Sequence, residues 1–162
     1  MIASRPRRVH RDHPTVARGQ TPPAPSEPRE REAAREARVL ADRGEVEQAL
    51  ACCESALKRD KFNPALHYLK ASILQELGQP DEAERALHST LFLDGNYALA
   101  RVMLGAIARG QARSTDAAKH FRAALSLLAQ MPADSVLPET DGLTAGEMAE
   151  TVASLMESEC VL

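Results

Sequence analysis

The chain has 162 residues, about the length of a single domain. Its 20 Lys and Arg nearly balance its 23 Asp and Glu, so the charge gives no reason to expect nucleic acid as the main partner. No apolar run reaches the roughly 18 residues needed to cross a membrane. The three cysteines, two of them adjacent, do not form a disulfide framework and are typical of a reducing compartment. We therefore expect a cytoplasmic protein that engages neither membranes nor nucleic acid.

The first predicted element is a disordered tail or interdomain linker over residues 1–28. This stretch holds six of the ten prolines, and five arginines against two acidic residues. It has too few apolar side chains to offset the entropy that is lost on ordering. Its positive charge also suits an arm that touches an acidic partner surface.

A nearly continuous helical region follows, from about residue 29 to residue 130. Ala and Leu dominate its apolar residues, and this composition favours packed helices over strands. Two kinds of residue mark the predicted boundaries between helices. Helices end at Gly44, Gly78 and Gly110, and new helices begin at Pro64 and Pro80.

Residues 131–142 are predicted to form a loop, and a last helix is predicted over roughly residues 144–158. Thr144 and Glu147 have the spacing of a capping box, in which each residue bonds the backbone N–H of the other. This pair predicts where the last helix begins.

Small residues recur with a period of 34 residues and organise the helical region. Each column of equivalent positions keeps this spacing without an insertion. The columns are Ala37, Ala71, Gly105; Gly44, Gly78, Ala112; Ala49, Ala83, Ala117; Cys53, Leu87, Phe121; and Ala56, Thr90, Ala124.

The period predicts an all-α solenoid of three helix–turn–helix repeats with a C-terminal helix. One helix pair cannot bury its apolar face alone, but stacked pairs can. Small residues let the two helices of a pair approach closely, and the column of Cys53, Leu87 and Phe121 is expected to fill the space between neighbouring pairs. The predicted repeats span about 30–63, 64–97 and 98–131, followed by a loop over 132–143 and a capping helix over 144–158.

The repeats resemble the tetratricopeptide repeat over residues 29–130. The matching positions are Gly44, Ala49 and Ala56 in the first unit; Ala71, Gly78, Ala83 and Leu87 in the second; and Leu104, Gly105, Ala117, Phe121 and Ala124 in the third. The resemblance implies a non-catalytic module that binds another protein.

A narrower resemblance covers residues 64–156. The stretches HYLKASILQELG, LDGNYALA and GLTAGEM are similar to the repeat region appended to some CheR-type chemoreceptor glutamate methyltransferases. In such proteins an N-terminal domain uses S-adenosylmethionine to methylate receptor glutamates. The resemblance implies a docking or regulatory region, with a chemotaxis-type receptor or signalling protein as partner and without the catalytic domain.

No catalytic constellation stands out in the chain. Neither a GxGxxG nor a GxxxxGK[ST] motif is present, and no βαβ pattern is predicted that could hold a nucleotide or S-adenosylmethionine. Adjacent Cys52 and Cys53 have poor geometry for one tetrahedral metal site. Cys53 lies in a core column, which favours a packed thiol. We therefore expect no enzyme activity, no cofactor and no metal.

The first helices of stacked pairs line the concave surface, where a partner would bind. The period places a mixture of arginine, tyrosine and aliphatic side chains there, which suits an extended or helical peptide with an acidic end and an apolar anchor. The candidate partner-binding residues are Arg35, Arg38, Tyr68, Ser72, Gln75, Leu99, Val102, Met103 and Arg109.

The alternative for part of this surface is that the C-terminal helix covers it. Met148, Val152 and Leu155 form an apolar stripe that this helix must bury. The carboxylate clamp of chaperone-binding tetratricopeptide repeats is absent, because the matching positions are occupied by other residue types. These positions are Ala34, Arg38, Leu69, Leu99 and Met103.

Overall fold

The structure is a computed structural model that describes residues 28–157. The described part is all-α, as predicted. It contains seven helices: α1 (Pro28–Asp42), α2 (Val46–Arg59), α3 (Pro64–Glu76), α4 (Pro80–Leu93), α5 (Ala98–Gly110), α6 (Ser114–Leu128) and α7 (Ala145–Glu157). Residues 1–27 of the expected tail lie outside the described residues. Pro28, which was expected to be the last residue of the tail, is the first residue of α1.

The helices pack in chain order as three pairs, α1 with α2, α3 with α4, and α5 with α6. Successive pairs meet through α2 and α3 and through α4 and α5, and α7 packs on α6. Helix α1 also contacts α3, so the first helices of the first two pairs lie on the same side. We call the surface formed by α1, α3 and α5 the first-helix face.

Prolines and a side-chain cap begin the second helix pair where the sequence predicts. Pro64 is the first residue of α3, and the side-chain oxygen of Asn63 accepts hydrogen bonds from the backbone N–H groups of Ala65 and Leu66, at 3.0 and 3.4 Å. These bonds satisfy two donors that have no partner within the helix. Pro80 begins α4 in the same way, at a position where a missing N–H has no cost.

Equivalent turns join the two helices of each pair. The turn residues Gly44 and Gly78 have positive φ angles of 78° and 70°, and Ala112 takes the same left-handed conformation at 57°. The backbone N–H of Ala112 donates to the carbonyl of Arg109, as that of Gly78 does to Gln75. An L-residue with a Cβ is strained in this conformation, whereas glycine is not. The third turn therefore keeps the geometry of the other two at a local cost.

We predict that Ala112→Gly raises the free energy of unfolding by about 0.5 kcal/mol, because relief of the left-handed strain exceeds the added entropy of the unfolded chain. Urea unfolding of both proteins measures the change. The matched control is Ala106→Gly at an exposed position inside α5. It should lower the free energy of unfolding by about 1 kcal/mol. A loss of stability from Ala112→Gly would contradict the prediction.

The small columns lie at the centre of each helix pair. All of their members are buried, and their small side chains allow the two helix backbones to approach closely. These residues are Ala37, Ala71 and Gly105 on the first helices and Ala49, Ala83 and Ala117 on the second.

The larger column was expected to fill the space between pairs, and this expectation is incomplete. A Cβ atom on Gly105 would lie 2.5 Å from Cε1 of Phe121, so Phe121 packs directly on the first helix of its own pair. Leu87 belongs to one buried cluster with Ala71 of its own pair and Leu104 of the next. The column therefore packs within a pair as well as between pairs, because its side chains reach across both gaps.

Residue size is matched across each pair. The first pair sets Cys53 in a cluster with Ala37, and the second sets Leu87 in a cluster with Ala71. The third pair has the bulkiest member of the column, and here the facing position is Gly105. Close-packed interiors tolerate neither a void nor an extra methyl group, so a larger residue on one helix requires a smaller one opposite.

We predict that Gly105→Ala lowers the free energy of unfolding by about 1–3 kcal/mol, because the new methyl group collides with the Phe121 ring. Phe121→Leu in the same chain should recover part of this loss, since a leucine faces an alanine in the second pair. Urea unfolding of the two single variants and the double variant gives the coupling energy. Gly110→Ala is the control, because a Cβ there meets nothing within 4 Å. Additive effects would contradict the assigned contact.

Candidate functional site

A cavity of about 250 Å³ lies on the first-helix face between α1 and α3. It brings together three of the predicted partner-binding residues, Arg38, Tyr68 and Ser72. The other wall comes from residues 139–141, in the connection between α6 and α7. The cavity therefore combines a cation, a tyrosine and a hydroxyl group with carboxylates of α1 and α3 and with a segment from the other end of the chain.

The connection before α7 crosses the first-helix face, and we call residues 136–141 the crossing segment. The Glu139 carboxylate forms an ion pair with the Arg38 guanidinium of α1. Glu139 is the more enclosed partner, with 16% of its side chain exposed against 41% for Arg38. The positive charge of Arg38 is thus paired within the chain.

An apolar contact anchors the crossing segment beside this ion pair. Leu137 is 3% exposed and lies in a buried cluster with Leu99, Leu128 and Ala145. Leu99, which was predicted to contact a partner, is only 4% exposed because it is buried within this cluster. The chain's own leucine therefore covers that part of the first-helix face.

Two tyrosines meet at the edge of the same cluster. The rings of Tyr68 and Tyr97 have centroids 5.2 Å apart and planes inclined at 35°. Burial raises the pKa of both phenols, so both stay neutral and keep their hydroxyl protons at physiological pH. The hydroxyl oxygen of Tyr97 is buried without a hydrogen-bond partner among residues 28–157. It retains an unused capacity to donate a hydrogen bond.

Tyr97 lines a second, smaller cavity of about 130 Å³. Leu99, Leu137 and Pro138 also line it. The crossing segment thus separates two cavities, with its apolar end at this one and its acidic end at the cavity beside Arg38.

Helix α7 covers part of the remaining surface. Val152 has no exposed surface and packs with Ala108, Ala117 and Phe121. Predicted partner-binding residue Val102 packs against the same cluster, as do Met148 and Leu155 of the predicted apolar stripe. Met103 packs instead against the cluster formed by α3, α4 and α5. The sequence-based alternative, coverage by the C-terminal helix, describes Val102 better than contact with a partner does.

Three predicted residues lie away from the cavity beside Arg38. Arg35 and Arg109 are exposed on α1 and α5, and Gln75 is half-buried on α3. None of the three lines that cavity. They surround the first-helix face without converging on one point.

Sequence reasoning missed Leu137 and Glu139, which were placed only within a loop. The available signal was an apolar residue followed at once by a proline and a carboxylate, in a connection that had to pass the stack. It also missed an open groove of about 460 Å³ on the other side of the second pair, where Phe62 and Phe92 are 68% and 89% exposed. His67 and His88 line this groove as well.

The buried thiol of Cys53 has little nucleophilic character. Burial raises its pKa to about 12, so it is protonated at neutral pH, and it donates a weak hydrogen bond to the Leu66 carbonyl. Within residues 28–157, no group of three or more His, Cys, Asp or Glu side chains is placed to hold a metal ion. In the same range, no helix has the length and apolar character needed to span a bilayer.

Comparison with known proteins supports a tetratricopeptide repeat in part of the chain. Residues 40–104 match the tetratricopeptide repeat family. This match covers the end of α1 through most of α5, where the sequence columns recur. No curated protein sequence matches the chain.

Solved structures share the fold over most of the chain. The type III secretion translocator chaperone SycD of Yersinia enterocolitica is 16% identical with a TM-score of 0.71, over 82% of this chain and 92% of SycD. PcrH of Pseudomonas aeruginosa, in complex with the chaperone binding region of PopD, is 14% identical with a TM-score of 0.69, over 79% of this chain and 88% of PcrH. The second tetratricopeptide repeat domain of Spaghetti, bound to an HSP90 peptide, is 21% identical with a TM-score of 0.58, over 60% of this chain and 91% of that domain.

The predicted capping box at the start of α7 is confirmed. The Thr144 backbone N–H donates to the Glu147 carboxylate at 2.9 Å, and the Glu147 backbone N–H donates to the Thr144 hydroxyl at 3.3 Å. The hydrogen bonds from the Thr144 backbone and hydroxyl hold the pKa of Glu147 below its ordinary value of 4.5. This cap fixes the point at which α7 begins.

Because the pKa of Glu147 is lower in the folded chain than in the unfolded chain, its contribution to stability is present above pH 4.5 and is lost as the pH falls through the folded value. We predict faster amide exchange in the first turn of α7 as the pH falls below 4.5, after correction for intrinsic exchange rates. Glu147→Gln keeps the capping hydrogen bonds but does not titrate. This control should remove the dependence, and an identical pH profile in both proteins would refute the assignment.

Proposed function

We propose that the chain is a protein-interaction module that binds a peptide or helix of another protein on its first-helix face. The observation that carries this proposal is the cavity where Arg38, Tyr68 and Ser72 converge on that face. A cation, an aromatic ring and a hydroxyl group in one concavity suit a peptide with an acidic group and an apolar anchor. The structural neighbours PcrH and Spaghetti, which bind a region of PopD and an HSP90 peptide, support binding as the mode of action.

Within this proposal the chain acts in the cytoplasm by binding and not by catalysis. The partner's acidic group pairs with Arg38, and its apolar group contacts Tyr68 and the aliphatic residues of α5. Arg35 and Arg109 attract acidic partners from either side, because exposed charges raise association rates more than they add affinity. The positions that match the chaperone-peptide clamp hold other residue types, so we propose a different acidic sequence from that of a chaperone C-terminus.

The test is affinity capture with the full chain as bait. We predict that Arg38→Glu lowers the recovery of specific partners at least about fivefold, because a carboxylate partner then meets a like charge. The double variant Arg38→Ala and Tyr68→Ala should lower recovery at least as far. Circular dichroism verifies that each variant is folded.

Arg85→Glu is the matched control for this experiment. It makes the same charge change on α4, where Arg85 is exposed and pairs with Glu82 at 3.5 Å. Binding at the first-helix face would be contradicted if Arg38→Glu left the recovery of partners unchanged. It would also be contradicted if Arg85→Glu lowered this recovery to the same extent.

A second candidate function rests on the resemblance of residues 64–156 to the repeat region of CheR-type methyltransferases. In this version the chain is the docking or regulatory region of a CheR-type methyltransferase in chemotaxis-type signalling, either split from the catalytic domain or encoded apart from it. It would be supported if a CheR-type methyltransferase or a chemoreceptor were among the partners that depend on Arg38. If the partners that depend on Arg38 belonged to another class, the proposed interaction module would stand and its role in chemotaxis would be rejected.

A further inference from the structure

The backbone hydrogen bonds of the crossing segment are made within the connection between α6 and α7. Val136 and Thr144 form an isolated antiparallel bridge, and the Leu137 N–H donates to the Leu143 carbonyl at 2.8 Å. The Thr140 hydroxyl donates to the Leu137 carbonyl at 2.7 Å and closes the turn. In the described part of the chain, no backbone hydrogen bond joins this turn to α1 or α3. The turn therefore reaches the first-helix face through side chains.

Glu139 is the side chain that reaches furthest across the face. Its φ angle is 67°, the left-handed conformation that residues with a side chain rarely adopt. The neighbouring turn residue Gly142 adopts a similar angle, 90°, where it is unstrained. From this conformation the Glu139 carboxylate forms its ion pair with Arg38. A carboxylate at this position is thus held by its charge partner and not by its own backbone preference.

The crossing segment lines both cavities, and we call the two cavities together the trough. The cavity beside Arg38 is lined by residues 139–141, and the cavity beside Tyr97 is lined by Leu137 and Pro138. Movement of the turn away from α3 would join them. The joined surface would present a guanidinium at one end and Tyr97 with Leu99 at the other.

We propose that residues 136–141 occupy the place of the partner and display its chemistry. The partner would be an extended segment with an aliphatic side chain followed, two residues later, by a carboxylate. The aliphatic group takes the position of Leu137 against Leu99, and the carboxylate takes the position of Glu139 on Arg38. This inference rests on the proposed binding at the first-helix face and adds both the sequence pattern and a competitor within the chain.

A competitor in the same chain weakens binding in a defined way. A tethered segment is present at an effective concentration of the order of millimolar, so a free peptide must displace it before it can bind. Loss of the Glu139 carboxylate weakens the tethered competitor and leaves the trough unchanged. The variant without this carboxylate should therefore bind an acidic peptide more tightly than the natural chain does.

The experiment is an NMR titration of the isotope-labelled full chain with the peptide DSVLPETDGL, which has the sequence of residues 134–143. We expect Glu139→Gln to bind this peptide about threefold to tenfold more tightly than the natural chain. Signals of Arg38, Tyr68 and Leu99 should shift during the titration. The peptide DSVLPQTDGL, which lacks the central carboxylate, should bind Glu139→Gln more weakly than DSVLPETDGL does, because it cannot form the ion pair with Arg38.

Two further proteins make the result specific. Asp134→Asn removes a carboxylate from the same connection at an exposed position outside both cavities, and its affinity should equal that of the natural chain. Adding Arg38→Ala to Glu139→Gln should abolish the gain. Equal affinities of Glu139→Gln and the natural chain, no binding to Glu139→Gln at millimolar peptide, or an equal gain from Asp134→Asn would each overturn the proposal.

This titration uses no cellular partner, so it can fail independently of the affinity capture. If partner capture depends on Arg38 but Glu139→Gln leaves the peptide affinity unchanged, the proposed interaction module stands. The proposal that residues 136–141 compete with the partner is then overturned. The expected peptide result without any captured partner would keep the competing segment and remove the proposed function.

Discussion

Close approach of two helix backbones within each pair is the constraint on which the rest of the structure depends. Phe121 lies so near Gly105 that no Cβ fits between them. Interiors pack at constant density, so each pair must match a large side chain on one helix with a small one opposite. The three pairs satisfy this rule with different side chains. The spacing of 34 residues is kept because the pairs must also stack on one another.

The end of the stack explains why the first-helix face is occupied. In the part of the chain that the structure describes, α7 and not a fourth pair covers Phe121 and Ala117, and it supplies Val152 to this cluster. The chain must travel from the end of α6 to the start of α7, and this connection passes Leu99 and Arg38. Coverage of the last repeat and occupation of the binding face are therefore consequences of one chain path.

Sequence reasoning was most successful where structure is set locally or by a regular period. Pro64 and the Thr144 capping box act within one helical turn, and the columns repeat in each pair. The connection before α7 has no period, and its Glu139 meets Arg38 from the opposite end of the chain. Such a contact depends on the path of the folded chain, so composition and spacing could predict a loop there but not its neighbours. The strain at Ala112 was hidden for another reason, because the period fixes the turn whatever residue occupies it.

The occupied face also indicates where selectivity must arise. The ion pair of Arg38 is partly exposed, and such pairs contribute only about 0–1 kcal/mol, so charge alone distinguishes acidic partners poorly. Among residues 28–157 the hydroxyl of Tyr97 is buried without a hydrogen-bond partner, and an unsatisfied buried donor costs about 1–3 kcal/mol. A peptide that places a carbonyl or carboxylate against Tyr97 would gain a contact that the crossing segment lacks. The difference between a true partner and the tethered segment is thus expected at the tyrosine end of the trough, where the chain leaves a hydrogen bond unmade.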